Sequence, residues 1–440
     1  MFEGPQYKGV RVTEHILGRR RLFLAALALA IFAVPTFAAA PAGSSGVAYV
    51  NGLWWTGNAF VAGRRVVRDG RFVAPSAQAE KIVDLAGGYV VPPFADAHNH
   101  MQGRPADFSD RAIAAGIFYV MNPTLLASIA PAARQALAAP GRVDAIYSMG
   151  AITAPGGHPV GLYEDILRLY VYKDMKVEDF AGNAFHEVAT ASDIEPALDL
   201  LVRQHADFVK IVLMFSEEFA QRRDDPAFRE KRGLDPALVP MIVQGAHRRG
   251  LRVAAHIESA ADFRVIVAAG VDEAAHMPGY FAGIGPIARY VLTTADAQAA
   301  ARAHIQVVTT AAYADQPTRD EADKLSRPSL PEIQAMQRDN LLKLKRAGVP
   351  LLIGTDGAAD AAPAEARYLV SLGVLTPKEA LITLSETTPR FIFPERRIGR
   401  LAPGFEASFL VLQKDPTQDI GAVLSIARRV KQGVELQSPQ

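Results

Sequence analysis

Eight apolar runs of strand length recur through the middle of the chain, with helical patterns between them. They are 94–100, 117–123, 145–153, 208–215, 252–257, 273–277, 305–311 and 349–356. The stretches between them carry helix-start signals. Asp235-Pro236 places an N-cap before a proline at the first helical position, and Thr376-Pro-Lys-Glu379 is a capping box. Eight strands, each followed by a helix, is the arithmetic of a (β/α)8 TIM barrel, an α/β fold. A doubly wound sheet is the alternative. No Gly-rich phosphate loop follows the first run, which counts against it.

The ends of the chain read differently. Residues 47–91 hold short β-like runs broken by Asn51-Gly52, Asp69-Gly70 and Gly87-Gly88, and Asx-Gly pairs between apolar runs are hairpin signals. Residues 396–440 have the same character, with Ala407-Ser-Phe-Leu-Val-Leu412 followed by Ala427-Arg-Arg-Val430. The simplest packing joins both ends in one composite β-sandwich around a barrel over 92–395. Residues 155–200 form an insertion after the third strand, and its Pro155-Gly-Gly-His158 has the look of an active-site loop.

Chemistry in such a barrel gathers at the C-terminal ends of the strands. The first run ends in Asp96-Ala-His98-Asn-His100, and side chains two apart on a strand share a face. Two imidazoles so placed can grip one metal ion. His256, His276 and Asp356 end the fifth, sixth and eighth runs, and Lys210 interrupts the fourth. Each has a plainer reading: a hydrogen-bonded core histidine, or an aspartate capping the next helix. Lys210 sits in Phe208-Val-Lys-Ile-Val-Leu-Met-Phe215, a run suited to burial on both faces. Burial lowers a lysine pKa, and a neutral amine can take up carbon dioxide to become an anionic carbamate. Otherwise this lysine snorkels or pairs with Asp207 or Glu217.

Residues 1–46 read as an export signal and short linker. Arg19-Arg20-Arg21 precedes an apolar run, Leu22 to Val34, and then Thr36-Phe37-Ala38, the three parts of a signal peptide. The run is too short for a membrane span, which takes about 20 apolar residues. Arg20-Arg21-Leu22-Phe23-Leu24 also resembles a twin-arginine signal. Cleavage after Ala38 removes five basic and two acidic residues and moves the net charge from +1 to −2, leaving a periplasmic or secreted protein without a stable span. No basic block follows residue 21, so nothing favours nucleic acid. The absence of cysteine excludes disulfides, thiolate metal sites and cysteine nucleophiles. Self-association is left open.

The ordered set Asp96-Ala-His-Asn-His100, Ala206-Asp-Phe-Val-Lys210, Ala255-His256, His276 and Gly354-Thr-Asp356 resembles the amidohydrolase superfamily over roughly residues 47–436. The branch most similar contains imidazolonepropionase-like proteins and relatives that cleave prolyl or arginyl dipeptides. The resemblance implies two divalent metals, zinc best, with manganese or iron as substitutes. His98 and His100 would hold one metal with Asp356, His256 and His276 the other, and carbamylated Lys210 would bridge them. It also implies a shared hydroxide attacking a small amide or dipeptide, with Asp356 as the catalytic proton carrier. Gly156-Gly157-His158 resembles a loop found in the peptidase-like members. Two departures stand out. Ala274-Ala275-His276 lacks the carboxylate usual beside the strand-six histidine, and Glu258 matches the single-metal His-Ala-Glu pattern. A lactonase or esterase on the same site, a mononuclear imidazolonepropionase-like hydrolase and a non-catalytic binding barrel are the alternatives. Substrate-binding candidates are His158, Tyr280 and Tyr172, each open to a plain packing role.

Overall fold

The computed structural model describes residues 46–101, 104–316 and 326–437. Apart from Gly46, the expected export segment lies outside the described residues. The N-terminal part folds into β1 (Val47–Trp55), β2 (Phe60–Arg68), β3 (Arg71–Val73), β4 (Lys81–Asp84) and β5 (Tyr89–Val91). Asp69-Gly70 is the β2–β3 hairpin turn, and both residues take positive φ, 50° and 71°. Asn51-Gly52 is not a hairpin turn. Asn51 is left-handed, but the pair lies inside β1, where the register with β2 slips between Tyr49 and Gly52. A bulge needs the same backbone freedom as a turn, so the dipeptide signal does not separate the two.

Three further strands come from the other end: β16 (Phe409–Leu412), β17 (Ile426–Lys431) and β18 (Val434–Leu436). The expected sandwich takes the form of one eight-stranded sheet. Its order is β18-β17-β16-β5-β1-β2-β3, and β4 also pairs with β1. The join between the two ends of the chain is the antiparallel β5–β16 pair. At the far edge, Phe72 in β3 exchanges backbone bonds with Gly404 and Phe405, which lead into β16. The core of this unit is aromatic: Phe409 lies 5.0–6.0 Å, ring to ring, from Tyr49, Trp54 and Phe72.

Between the ends lie the parallel strands β6 (Phe94–Asp96), β7 (Ile117–Asn122), β8 (Asp144–Tyr147), β9 (Ala151–Thr153), β10 (Phe185–Glu187), β11 (Val209–Val212), β12 (Val253–His256), β13 (Glu273–Ala274), β14 (Gln306–Val308) and β15 (Leu351–Leu352). One sheet runs β6-β7-β8, the other β10-β9-β11-β12-β13-β14-β15. Backbone bonds link their edges: Ala97 N donates to Ile353 O at 2.8 Å, and Asp207 N donates to Tyr147 O at 2.8 Å. The fold is α/β and TIM-barrel-like. The run 145–153 is two strands, not one. Met149 and Gly150 take φ of 59° and 97°, and Ser148 turns its hydroxyl onto the carbonyls of Pro123 and Gly150. This corner hands the chain from β7 to β11. In the insertion, β10 adds to the edge of β9, and helix Ile194–Arg203 packs Leu198 and Leu201 inward.

Candidate metal centre

The first histidine pair is fixed from beneath. Asp96 is fully buried and accepts from His98 N (3.0 Å), Asn99 Nδ2 (2.9 Å) and Thr355 Oγ1 (2.7 Å). Burial lifts its pKa to about 6 against those three bonds. The carboxylate therefore ties the end of β6 to the chain leaving β15, and brings His98 and His100 to Asp356. Asp356 Oδ1 lies 2.7 Å from His100 Nε2 and 3.4 Å from His98 Nε2. Its backbone is left-handed, φ 52°, and its N–H donates to His98 O at 2.8 Å. That conformation costs an L-residue about 1–2 kcal/mol, least for Asp or Asn, and it aims the carboxylate at the histidines.

His256 and His276 complete the cluster. Ring centroids are 4.4 Å apart for His98 and His276, and 4.8 Å for His256 and His276. Ligand-type atoms of His98, His276 and Asp356 all lie within 4.8 Å of one another. Burial, with neighbouring cations adding to it, pushes His98 down to about 3 and holds His256 and His276 well below the usual histidine range. These imidazoles are neutral at pH 7, the form that binds metal. Burial pushes Asp356 upward, but the His100 charge and the bonds from His100 and His98 carry it well below the usual carboxylate range. Thr124 Oγ1 meets His100 Nδ1 at 2.8 Å and Thr310 Oγ1 meets His276 Nδ1 at 3.0 Å. A partner on Nδ1 fixes the ring and leaves Nε2 for a metal.

Lys210 is buried, and its Nζ has no hydrogen-bond partner among the described residues. Neither acid considered from sequence reaches it. Asp207 bonds Arg134 and Tyr147 N, and Glu217 bonds Ser259 and Arg289. Burial pulls the amine down to about 8, opposed by Glu273 and Asp356. Ala275 stands beside His276, as in the sequence reading, and the carboxylate of this strand is Glu273. It lies three residues before His276, with both oxygens buried and unbonded. Its direction depends on the β12–β13 register, which no local pattern reveals.

Around the cluster, Tyr280 stacks on His276 at 4.0 Å. Glu258 Oε1 is 3.3 Å from His256 Nε2 without hydrogen-bond geometry, and burial lifts its carboxyl to about 8. His158 stacks on His256 at 4.9 Å, and its Nδ1 is held by Glu230 at 2.6 Å. Glu230 also accepts from Gly161 N, so one acid far along the chain sets the Pro155–Gly161 loop. Tyr172 is placed elsewhere. Its ring meets Tyr163 and Phe180 in a satellite apolar cluster under the insertion. Tyr163 stands on the site side of that cluster, with its hydroxyl on Thr124 O at 3.2 Å. The spacing of aromatics in the insertion does not show which of them faces the histidines.

The donor set fits a divalent cation: neutral imidazoles, one ionised carboxylate, and partnerless buried nitrogens at His98 Nδ1, His256 Nε2 and Lys210. The chain is similar to several known proteins. Ochratoxinase of Aspergillus niger is 25% identical over 238 residues, 52% of this chain and 45% of that protein, so the match spans about half of the relative. Imidazolonepropionase of Chromobacterium violaceum is 24% identical over 380 residues, 79% of this chain and 84% of that protein. Among solved structures, A. niger ochratoxinase matches with a TM-score of 0.69 at 16% identity, covering 89% of this chain and 96% of the other. A Xaa-Pro dipeptidase with bound methionine matches with a TM-score of 0.68 at 16% identity, covering 89% and 100%. At such identities the structures speak for the fold. The sequence model of the amidohydrolase family matches residues 89–435, from β5 through β18, and so takes in every strand end just described: the chain belongs to the amidohydrolase family.

Proposed function

We propose that this chain is a metal-dependent hydrolase cleaving a C–N bond in a small amide, dipeptide or cyclic amide, and that it acts outside the cytoplasm after losing residues 1–38. The observation that carries this is the convergence of His98, His100, His256, His276 and Asp356 with a buried, partnerless Lys210. His98, His100 and Asp356 would hold one divalent ion, His256 and His276 a second, and Lys210 would bridge them as a carbamate; zinc fits best. When bound, such ions supply a water of low pKa and polarise the scissile carbonyl. Asp356, ionised and aimed by His98 and His100, takes the proton of the attacking water and returns it to the leaving nitrogen. His158, oriented by Glu230, and Tyr280, stacked on His276, border the place where substrate would lie.

The names of the relatives, ochratoxinase, imidazolonepropionase and Xaa-Pro dipeptidase, support a C–N substrate. Protein prepared with zinc and bicarbonate is expected to hold close to two equivalents. It should hydrolyse at least one of a panel of acyl-amino acids, dipeptides and cyclic amides faster than matched lactones. Protein without metal and without turnover would point to a binding barrel, and preferential lactone turnover to an esterase. Glu258, so close to His256, favours a second reading with one metal. A stable single equivalent, indifferent to bicarbonate, would establish it.

A further inference from the structure

Thr310 stands just past β14, and its backbone is left-handed, φ 42°. For a residue branched at Cβ that conformation is costly, and it persists only where the surroundings hold it. A carboxylate outside the metal cluster supplies that hold. Glu365 lies in the first turn of helix Ala362–Ser371, which follows β15, and is 1% exposed. Its Oε1 accepts from Thr309 Oγ1 at 2.5 Å and from Ala311 N at 2.9 Å, and its Oε2 accepts from Ala312 N at 2.8 Å. One side chain therefore grips the turn on both sides of Thr310. Gln337, on helix Leu330–Ala347, holds the same turn from another direction: its Nε2 donates to Ala311 O at 3.1 Å and to Tyr280 O at 2.9 Å. With the turn so fixed, the Thr310 hydroxyl meets His276 Nδ1 at 3.0 Å.

We propose that Glu365 is a positioning residue for the metal centre: it holds the left-handed turn at Thr310, and through the Thr310 hydroxyl it sets the orientation of the His276 ring. The inference rests on the reading above in which His276 is a metal ligand. The three donors to Glu365 come from Thr309, Ala311 and Ala312, none of them a ligand-type residue, so its bonds serve the turn and reach the cluster only through Thr310. Without Glu365, two backbone N–H groups and one hydroxyl lose their acceptor, and Thr310 relaxes toward an ordinary extended or right-handed backbone. Either relaxation carries its hydroxyl away from His276 Nδ1. The ring then has no partner on that nitrogen, and Nε2 is no longer aimed at a metal. A buried acid that only secured helix to turn would cost stability when removed and leave the ring where it is.

Glu365→Gln keeps the shape but turns one acceptor oxygen into an amide donor, so at least one of the three bonds is lost. The ring nitrogens of His276 are read by 15N NMR on histidine-labelled full-length chain, before and after zinc is added, with His276→Asn identifying the signals. Zinc affinity is read by competition with a chelator. In Glu365→Gln the Nδ1 signal is expected to move toward its position in Thr310→Val, and zinc to bind roughly tenfold more weakly, the lower end of what an orienting partner supplies. In the Thr310→Val background, Glu365→Gln should cost no further affinity, because the path it acts through is already cut. Two independent losses overturn the inference, and so do unmoved ring signals, whatever the melting temperature does. Ring signals that move while zinc affinity stays the same, or while no zinc binds, overturn instead the reading of His276 as a ligand and leave the positioning of its ring standing. Thr309→Val removes one donor to Glu365 and keeps the branched shape. It repeats the comparison if Glu365→Gln does not fold, with a smaller shift in the same direction expected; no shift overturns the inference.

Discussion

Thr310→Val isolates one hydroxyl behind the metal site. Thr310 Oγ1 sits 3.0 Å from His276 Nδ1, both residues are buried, and no other described side chain is bonded to that nitrogen. Thr310 has φ of 42°, so valine, also branched at Cβ, meets the same backbone strain and nearly the same packing. What changes is the orientation of the ring. Removing a partner that orients a ligating histidine costs about 10–100-fold in metal affinity, or about 1.4–2.8 kcal/mol. Unpairing a buried Nδ1 costs about 1–3 kcal/mol, so the metal-free variant should also melt somewhat lower. Affinity is measured by competition with a chromogenic chelator, and melting on metal-free protein. Thr310→Ser, which keeps the hydroxyl, should hold affinity within a few-fold of wild type. Equal losses in the serine and valine variants would mean that the methyl group matters and the hydrogen bond does not. Unchanged affinity in the valine variant would remove His276 from the ligand set.

Lys210→Arg should lose metal and activity, because guanidinium stays protonated and cannot form a carbamate; full metal content with full turnover would make Lys210 purely structural. Lys210→Ala should lose the bridge, and short carboxylic acids that enter the vacated space should restore part of the turnover. Asp356→Asn should lower kcat by about 10²–10⁴-fold, the usual contribution of a placed proton carrier, and steady-state kinetics on any accepted substrate will show it. Phe409→Ala should destabilise the terminal sheet by about 3–5 kcal/mol, read by denaturant unfolding, since Phe409 packs on Tyr49, Trp54 and Phe72. N-terminal sequencing of an exported fraction should begin near Ala39, and an intact Met1 on cytoplasmic protein would reject export.

The strand ends were legible because each is a short-range pattern. A histidine pair two apart, or an acid at the end of an apolar run, states its own position and face. The structure gathers the five histidine and aspartate side chains read that way into one cluster, with buried Lys210 close enough to act on three of them. Groups whose role depends on a neighbouring strand were not legible. Glu273 appears in sequence as one of two acids before an apolar stretch; its inward direction follows from pairing with Ala254. Thr124 and Thr310 look like ordinary loop hydroxyls until the histidines they orient are in place. Tyr172 could not be placed from sequence for the converse reason. An aromatic in an insertion beside a site can pack under the loop as well as line the pocket, and here Tyr163 stands on the site side instead.

The same contrast bears on how the centre is built. Its ligand-type side chains lie on strand ends, but the groups that fix their protonation and direction lie one contact further out. Asp96 locks the first pair through three donors. Thr124 and Thr310 each settle one imidazole. Burial keeps the remaining nitrogens neutral. Lys210 Nζ has no such support, and it shares the lack of a hydrogen-bond partner among the described residues with His98 Nδ1 and His256 Nε2. Unsatisfied nitrogens in a buried cluster are what a bound divalent cation would complete, and on the proposed reading the Lys210 amine would join the neutral imidazoles only after gaining negative charge as a carbamate.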